Sequence, residues 1–504
     1  MSITQRVFTS SAFQVAINLA QRLIGIVSTL ILARMLTPDD FGIIAILALT
    51  IHLIDILSDA GSQQYIIQKQ NADDIDLNTA WSIDIIGKFT LTALICLIAP
   101  LIAETLDNPL LTDAIRIVSL SIPLRALRNP ALILLAKEFD YQKLFKLNIV
   151  QKLSSFTAVM LVVAINPSYW AIVTGDIVAA LIMLIGSYRI HAYRPKWALA
   201  KFREQWSFSQ WALLRGLTGF GRSQADILIV SKLFPPAALG GYHLQRELAL
   251  IPAFSLIIPA IEPLLSAIAK AKNDHQLLCY RLRLSMISLL ALLIPLSVFI
   301  FLQSKLIVSV LLGEQWIQHH TLLGYFSLMF FAFCFHALIS DCFTAINKMR
   351  VLFYFDLAST VVIISILLAF SNLEMQYFAL ARGLAGLLIT MSLLFLLSTL
   401  THFNLKKLIL NTSPCVLATA LSLISCQISI TLLPTGTWDL LSLTFFTLVF
   451  FCTYLLTLLV ITKVLASLLF TSKVLKEGSL NEAEQLCSNI VQLTNSALNK
   501  LKRE

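Results

Sequence analysis

Apolar residues run through this chain in fourteen stretches of about 20 residues, and most of the polar segments between them are short. A helix needs about 20 apolar residues to cross the ~30 Å hydrocarbon core of a bilayer, so each stretch is long enough to span it. The pattern therefore predicts an all-α polytopic membrane protein. The fourteen predicted spans are 10–33, 41–60, 80–103, 113–136, 146–165, 170–190, 209–233, 241–264, 285–309, 321–346, 353–371, 378–399, 413–433 and 441–463.

The composition indicates a chain that lies almost wholly in the membrane. Hydrophobic residues make up 58% of the sequence, charged residues make up 13%, and the mean hydropathy is +0.82. This charged share is about half of the ~25% typical of soluble domains. The longest loop on the predicted outer side, 311–320, is too short to carry a catalytic site, so function is sought in the helices.

The sequence contains no motif for catalysis, nucleotide binding or metal binding. A Gly-rich phosphate loop, a GxSxG turn and an HExxH motif are all absent. The eight cysteines form no CxxC and no Cys/His ligand spacing, and most of them lie in predicted spans as small apolar residues. We therefore predict no enzyme, no metal site and no cofactor, with an H⁺ or Na⁺ gradient as the energy source.

Lysine and arginine predict the orientation in the membrane. With the N-terminus in the cytoplasm, the inner loops 61–79, 137–145, 191–208, 265–284, 347–352 and 400–412 and the tail all contain Lys or Arg. The outer loops contain no Lys or Arg apart from Arg34 in the first one. Both termini are therefore predicted to be cytoplasmic, and the net charge of +9 indicates topology rather than a nucleic-acid partner. The first stretch is full length and carries Arg22, so no cleavable signal peptide is predicted.

Residues 31–44 resemble residues 229–242 at a spacing of 198 residues. Arg34 aligns with Lys232, Pro38 with Pro236 and Gly42 with Gly240, and the spacing equals six predicted spans. Six-span repeats share one orientation, so the two copies should be related by an axis along the membrane normal. The predicted domains are an N-terminal lobe (1–208), a C-terminal lobe (209–400), two peripheral helices (401–463) and a cytoplasmic amphipathic tail (464–504), whose helix begins near Ser479.

Ionisable residues in the predicted spans are candidate sites, because a charge at membrane depth is costly unless it faces a cavity or a partner. They line up on helix faces in both lobes, which predicts a water-filled cleft between the lobes. The substrate-binding candidates share a cationic side chain and are Arg22, Lys88, Arg125, Arg128, Arg215, Arg222 and Arg246. The ion-coupling candidates share a carboxylate and are Asp55, Asp84, Asp226 and Glu247; of these, Asp226 is expected to exchange its ion for pairing with Arg222.

Several of these residues also have a purely structural interpretation. Asp84 and Lys88 lie one turn apart and would neutralise each other, and Asp226 would do the same for Arg222 in a permanent salt bridge. Four further residues near predicted span ends are expected to reach the membrane interface, namely Asp59, Lys152, Arg189 and Glu262. The excess of arginine predicts an anionic cargo, because its planar guanidinium binds phosphate with two hydrogen bonds.

At the level of whole segments, the chain resembles bacterial polysaccharide-transporter flippases of the multidrug/oligosaccharidyl-lipid/polysaccharide exporter superfamily. The similar segments are ARMLTPDDFGIIAILALTIHLIDILSDAGSQQYIIQ (33–68), NTAWSIDIIGKF (78–89), LLAKEFDYQKL (134–144), ILIVSKLFPPAALGGYHLQRELALIP (227–252) and VLLGEQW (310–316). The resemblance implies two pseudo-symmetric six-helix lobes that form a V-shaped central cleft. It also implies ion-driven alternating access that moves an undecaprenyl-pyrophosphate-linked oligosaccharide from the inner to the outer leaflet. Residues 21–25 are similar to a stretch of lipid II flippases, but Ser28 stands where those proteins have a second arginine, which argues against lipid II as the cargo.

Three functions remain open from the sequence. The first is a flippase in the bacterial inner membrane that supplies O-antigen, capsule or exopolysaccharide synthesis, with a lipid-linked oligosaccharide, membrane lipid, a glycan polymerase and a chain-length regulator as expected partners. The second is a multidrug exporter, which needs an acidic, aromatic-lined cavity. The third is a membrane enzyme that processes glycans, which needs a long outer loop.

The orientation predicts which cysteines an impermeant thiol reagent reaches from outside the cell. Single cysteines placed in loops 104–112 and 434–440 should react, whereas a cysteine at position 200 should not, because the basic loops stay inside. The reverse labelling pattern would rule out the fourteen-span arrangement.

Overall fold

The computed structural model describes residues 3–58, 65–66, 69, 73–137, 141–430 and 439–471 of the 504-residue chain. Every regular element in these ranges is helical, which confirms the predicted all-α membrane fold. The first eight helices described lie in the segment predicted as the N-terminal lobe and are α1 (Ile3–Met35), α2 (Pro38–Ser58), α3 (Asp74–Thr105), α4 (Leu110–Ser119), α5 (Ser121–Ala126), α6 (Leu132–Lys137), α7 (Tyr141–Ile165) and α8 (Trp170–Ile190).

The remaining helices form the C-terminal lobe and the peripheral pair. They are α9 (Phe202–Leu233), α10 (Pro236–Pro252), a π-helical turn (Ala253–Ile257), α11 (Ile258–Ala269), α12 (His275–Leu302), α13 (Ser304–Leu311), a 3-10 turn (Glu314–His319), α14 (His320–Ala345), α15 (Met349–Ala369), α16 (Met375–Thr401), α17 (Leu405–Ile430) and α18 (Asp439–Thr471). In the N-terminal lobe α7 packs against α1 and α8, and in the C-terminal lobe α14 packs against α10, α12 and α16.

Twelve helices in the described ranges are long and apolar enough to cross a membrane, so the predicted count of fourteen is not confirmed. The predicted span 113–136 is broken into α4, α5 and α6, and this segment contains Pro123 and Pro130, which cannot donate a helical hydrogen bond. The predicted span 209–233 is a continuous helix, α9, but it carries Arg215, Arg222 and Asp226 and falls short of the hydropathy of a lipid-facing span. Both exceptions contain predicted site residues.

The two copies of the sequence repeat meet each other where α2 packs along α10. A Cβ atom added to Gly42 would lie 2.2 Å from the carbonyl oxygen of Pro236, and one added to Gly240 would lie 2.0 Å from the carbonyl oxygen of Pro38. Because Pro38 aligns with Pro236 and Gly42 with Gly240, each glycine contacts the proline of the other copy. Such reciprocity is the mark of a two-fold contact. The absence of a side chain is what allows the two backbones to approach this closely.

Further contacts between the lobes surround this glycine contact, at the end of the bundle that we call the outer face (residues 33–38 and 310–316). The indole Nε1 of Trp316 donates to the carbonyl of Ala33 at 2.6 Å, and Gln315 donates to the carbonyls of Ala33 and Leu36. The Arg34 guanidinium donates to the carbonyl of Val310. The lobes are therefore joined at the outer face in this conformation.

At the other end of the bundle, which we call the basic face (residues 69, 73–76 and 193–204), the connection between the lobes is fixed to the start of α3. Asp73 caps α3 by accepting from the backbone N–H of Asp76 at 2.8 Å. Lys201 lies 2.8 Å from both Asp73 oxygens and thereby holds the pKa of Asp73 below its usual range. Asp76 accepts from Lys69 at 2.9 Å, which raises the pKa of that ammonium. The ion pairs thus anchor the chain just before α9.

The last two described helices, α17 and α18, pack against each other and against α12 at one flank of the C-terminal lobe. Phe299 of α12 contacts the rings of Phe450 and Phe451, and Tyr454 donates to the carbonyl of Ala291 at 2.6 Å. The amphipathic helix predicted from Ser479 onwards lies outside the described residues, as does Asp59.

The close contact at Gly42 predicts that alanine destabilises the protein at this position but not at Gly87. Gly42→Ala should destabilise this conformation by about 1–3 kcal/mol, because its new methyl group meets backbone rather than a flexible side chain. Gly87→Ala is the matched control, since a Cβ there meets nothing within 4 Å and alanine favours the helix. Thermal unfolding in detergent measures both, and equal melting temperatures for Gly42→Ala and the wild type would contradict the close contact.

Candidate functional site

Arg125 joins three helices of the N-terminal lobe through two carboxylates. Its Nη1 lies 3.1 Å from Asp55 of α2, and its Nη2 donates to Asp176 of α8. Arg125 itself lies on the short helix α5, in the broken segment 110–137, so the break places its guanidinium between the two carboxylates. The three side chains keep between 20% and 42% of their surface accessible, so the cluster is partly open to its surroundings.

Lys88 and Asp84 form a pair within α3. Their Nζ and Oδ2 atoms lie 2.9 Å apart at the i, i+4 spacing, and Lys88 is 9% exposed at its side chain. The observed geometry agrees with the structural interpretation of Asp84 and Lys88, in which the two charges neutralise each other. Binding of cargo by Lys88 would first require the loss of this contact.

Asp226 does not pair with Arg222, although the two lie one turn apart on α9. Its Oδ2 lies 3.1 Å from Nε of Arg246 on α10 and 3.6 Å from Nε of Arg382 on α16, and it accepts from the Tyr242 hydroxyl at 3.1 Å. The expected pairing with Arg222 is therefore wrong for this conformation. The physical reason is that two arginines from neighbouring helices enclose the carboxylate, which has no exposed surface.

Arg222 instead contacts residues that lie more than a hundred positions later in the sequence. Its Nη1 donates to Oδ1 of Asp356 on α15 at 2.8 Å and contacts Nε2 of His336 on α14. The Arg222 side chain keeps 29% of its surface accessible, against 4% for Arg246. Arg222 thus lies at the edge of the C-terminal lobe, whereas Asp226 and Arg246 belong to its interior.

The other predicted residues fall into different surroundings. Arg22 is exposed on α1, and its guanidinium carbon lies 4.9 Å from the ring centroid of Phe254 in the C-terminal lobe. Arg128 is exposed and makes no ion pair with any described residue. Glu247 lies 3.7 Å from Arg246 and is 48% exposed. The side chain of Arg215 lies outside the described ones.

Two acidic residues of these clusters, Asp176 and Asp356, were not among the predicted candidates, and a third residue, Lys152, was predicted at the wrong depth. Asp176 and Asp356 are each the only acidic residue of a predicted span, so the cost of a charge at membrane depth was a sufficient signal to include them. Lys152 was assigned to the interface, but α7 extends to Tyr141 and places it in the middle of the helix. The error arose because the predicted span began at residue 146.

The geometry divides the charged residues into two groups. The carboxylates at membrane depth, Asp55, Asp176, Asp226 and Asp356, all contact arginine, whereas Arg22 and Arg128 have exposed guanidinium groups without a carboxylate partner among the described residues. Across the described residues, no group of three His, Cys, Asp or Glu side chains could hold a metal ion. The arrangement can therefore bind an anion at its exposed arginines.

Comparison with known proteins identifies relatives of this chain by sequence and by fold. The chain is 24% identical over 301 residues to lipopolysaccharide biosynthesis protein WzxC of Escherichia coli, which covers 58% of this chain and 60% of WzxC. It is 23% identical over 301 residues to succinoglycan biosynthesis transport protein ExoT of Rhizobium meliloti, which covers 59% of this chain and 61% of ExoT. The matches thus span about three fifths of each relative.

The fold is similar to a solved structure of the lipid II flippase MurJ in an inward closed conformation. The TM-score is 0.73 at 14% sequence identity, and the match covers 91% of this chain and 99% of that structure. The family model described as "Polysaccharide biosynthesis protein" matches residues 31–321, which is more than half of the chain. This protein therefore belongs to the polysaccharide biosynthesis protein family.

Proposed function

We propose that this protein is a flippase that moves a lipid-linked oligosaccharide across the bacterial inner membrane for the synthesis of a surface polysaccharide. The observation that carries the proposal is that two exposed arginines, Arg22 and Arg128, have no carboxylate partner among the described residues, in a membrane-spanning fold of this family. A pyrophosphate group is a dianion that matches the guanidinium fork, and the exposed surface leaves the fork free to bind it. A glycan polymerase and a chain-length regulator are the proposed partners.

The orientation is part of the proposal. The basic face, with Lys69 and Lys201, would lie in the cytoplasm together with both termini, according to the positive-inside rule. Because the outer face is joined by the contacts of Trp316 and Gly42, cargo would enter this conformation from the cytoplasmic leaflet. Separation of those contacts would be required for release into the outer leaflet, as alternating access demands.

A multidrug exporter of the same fold is the second candidate function. Organic cations need a carboxylate that is free to pair with them, but Asp55, Asp176, Asp226 and Asp356 already contact arginine. Among the predicted site residues whose side chains are described, the two without a charged partner, Arg22 and Arg128, are positive, which favours an anionic cargo over a cationic one. The third candidate, a membrane enzyme, is set aside because ExoT is named as a transport protein and MurJ as a flippase.

An H⁺ or Na⁺ gradient is the proposed energy source. Asp226 would have to leave two arginines and a tyrosine to bind an ion, since it is enclosed by Arg246, Arg382 and Tyr242. Asp55 is 42% exposed at its side chain and shares Arg125 with Asp176, so an ion can reach it without disrupting the lobe. The geometry therefore favours Asp55 over Asp226 as the coupling residue.

The cargo proposal predicts the effect of removing an exposed arginine. Arg128→Ala should lower surface polysaccharide by about ten- to a hundredfold while the protein remains in the membrane, because a charge-assisted contact contributes about 1.5–3 kcal/mol. Arg128→Lys should restore transport only in part, since an ammonium lacks the bidentate fork. Arg189→Ala, an exposed arginine at the end of α8, is the control. Normal polysaccharide in an Arg22→Ala, Arg128→Ala double variant would refute this site.

The coupling proposal predicts that Asp55→Asn flips lipid in reconstituted vesicles but no longer responds to an imposed ion gradient. Asp226→Asn should instead lower stability by about 3–5 kcal/mol, because two buried arginines would lose their carboxylate. Flipping rates with and without a gradient, together with thermal unfolding, separate the two outcomes. Full gradient dependence in Asp55→Asn would assign coupling to another residue.

A further inference from the structure

The N-terminal lobe contains a cavity of about 330 Å³ that is separate from the exposed arginines. It lies between α1, α7 and α8, and its lining includes Gly25, Ser28, Lys152, Phe156 and Asp176. The volume is at the lower end of the range for small-molecule sites, which is about 300–1,000 Å³. A ligand of this size is a single sugar ring rather than a whole oligosaccharide.

Lys152 brings an unpaired ammonium into this cavity. It lies in the middle of α7 (Tyr141–Ile165) and forms no ion pair with any described residue. Its Nζ lies 3.8 Å from the position that a Cβ on Gly25 would occupy, across the cavity on α1. An ammonium offers three donors and no acceptor, so it calls for oxygen atoms from an occupant. A lysine at this depth without such a partner would be costly.

Asp176 contributes the opposite chemistry to the same cavity. Its Oδ1 accepts from Arg125, whereas its Oδ2 is buried and has no hydrogen-bond partner among the described residues. A carboxylate only accepts hydrogen bonds, so Oδ2 calls for a donor. Lys152 therefore presents a donor with unused capacity to the cavity, and Asp176 places a carboxylate charge in the same lining.

The presence of both Lys152 and Asp176 argues against a simple ion as the occupant of the cavity. A phosphate in the cavity would meet the Asp176 carboxylate, and a metal cation would meet the Lys152 ammonium, so each would be repelled by one of the two groups. A hydroxyl group both donates and accepts. The hydroxyl of Ser28 and the amide of Gln151 also line the cavity and do both, and Phe156 adds an apolar surface. A ring with several neighbouring hydroxyls and an apolar face satisfies this lining.

We propose that the cavity is a binding site for one sugar residue of the lipid-linked glycan, which rests on the proposed flippase function. Arg22 and Gly25 lie three residues apart on the same face of α1, about 4.5 Å along the helix axis. The sugar attached to the pyrophosphate is covalently adjacent to it. The exposed guanidinium of Arg22 therefore meets the pyrophosphate while the first sugar enters the cavity.

The test compares two lipids on the purified full-length protein in detergent. One is a short polyprenyl pyrophosphate, and the other is the same lipid bearing glucose, galactose or N-acetylglucosamine in turn. Lys152→Met removes the donor, and Gly25→Leu places a side chain in the cavity. Each variant should weaken binding of the best sugar-bearing lipid by about tenfold or more and leave binding of the bare lipid within about twofold. Lys146→Met, an exposed lysine on the same helix, is the control.

Thermal unfolding of each variant checks that it is folded. The two substitutions lie on different helices, so the test can still be made if one of the two variants does not fold. Equal weakening for both lipids would make the cavity a pyrophosphate site and overturn the proposal. Unchanged binding of both lipids in Lys152→Met and Gly25→Leu would overturn it as well. Wild-type protein that binds neither lipid would instead contradict the flippase function on which the proposal rests.

Discussion

The need to compensate charges inside an apolar helix bundle determines how this structure is put together. Arg125 holds α5 to α2 and α8 through Asp55 and Asp176, and Asp226 holds α9 to α10 and α16 through Arg246 and Arg382. Each cluster joins helices that are distant in sequence, so it fixes their relative positions as well as neutralising charge. In the Asp226 cluster, loss of one partner would cost much free energy, because the remaining charge would be left buried. This cluster therefore acts as a rigid part of the C-terminal lobe, whereas the Arg125 cluster is partly open to its surroundings.

The contact between the lobes rests on the opposite property, the absence of side chains. Gly42 and Gly240 let the backbones of α2 and α10 touch at a point where the sequence repeat predicts equivalence, and each glycine meets the proline of the other copy. A backbone contact of this kind contains no buried charge. It can separate without the cost that breaking the Asp226 cluster would carry. Lobes that are rigid inside and joined to each other by a contact between uncharged backbones suit a rocking motion between two conformations.

The sequence predicted the helices and their repeat because apolar length and a fixed spacing are local signals. The sequence also indicated Arg125 and Asp226 as candidates, because a charged residue within a single apolar span can be recognised without knowledge of the other helices. It paired Asp226 with the wrong arginine because same-helix spacing is local, whereas the true partners come from α10 and α16. The break of the predicted span 113–136 was signalled by Pro123 and Pro130, but its consequence, a guanidinium placed between two helices, depends on tertiary packing.

The two proposed binding elements also suggest why cargo would take one orientation. Arg22 is exposed and unpaired, so a strongly charged group gains most there, whereas the cavity beside Lys152 and Asp176 has both signs of charge within one small volume. A pyrophosphate moved into the cavity would meet the carboxylate of Asp176, and a sugar ring moved to Arg22 would leave the ammonium of Lys152 without an acceptor. Exchange of the two groups is therefore unfavourable at both positions, which orients the lipid-linked glycan relative to α1.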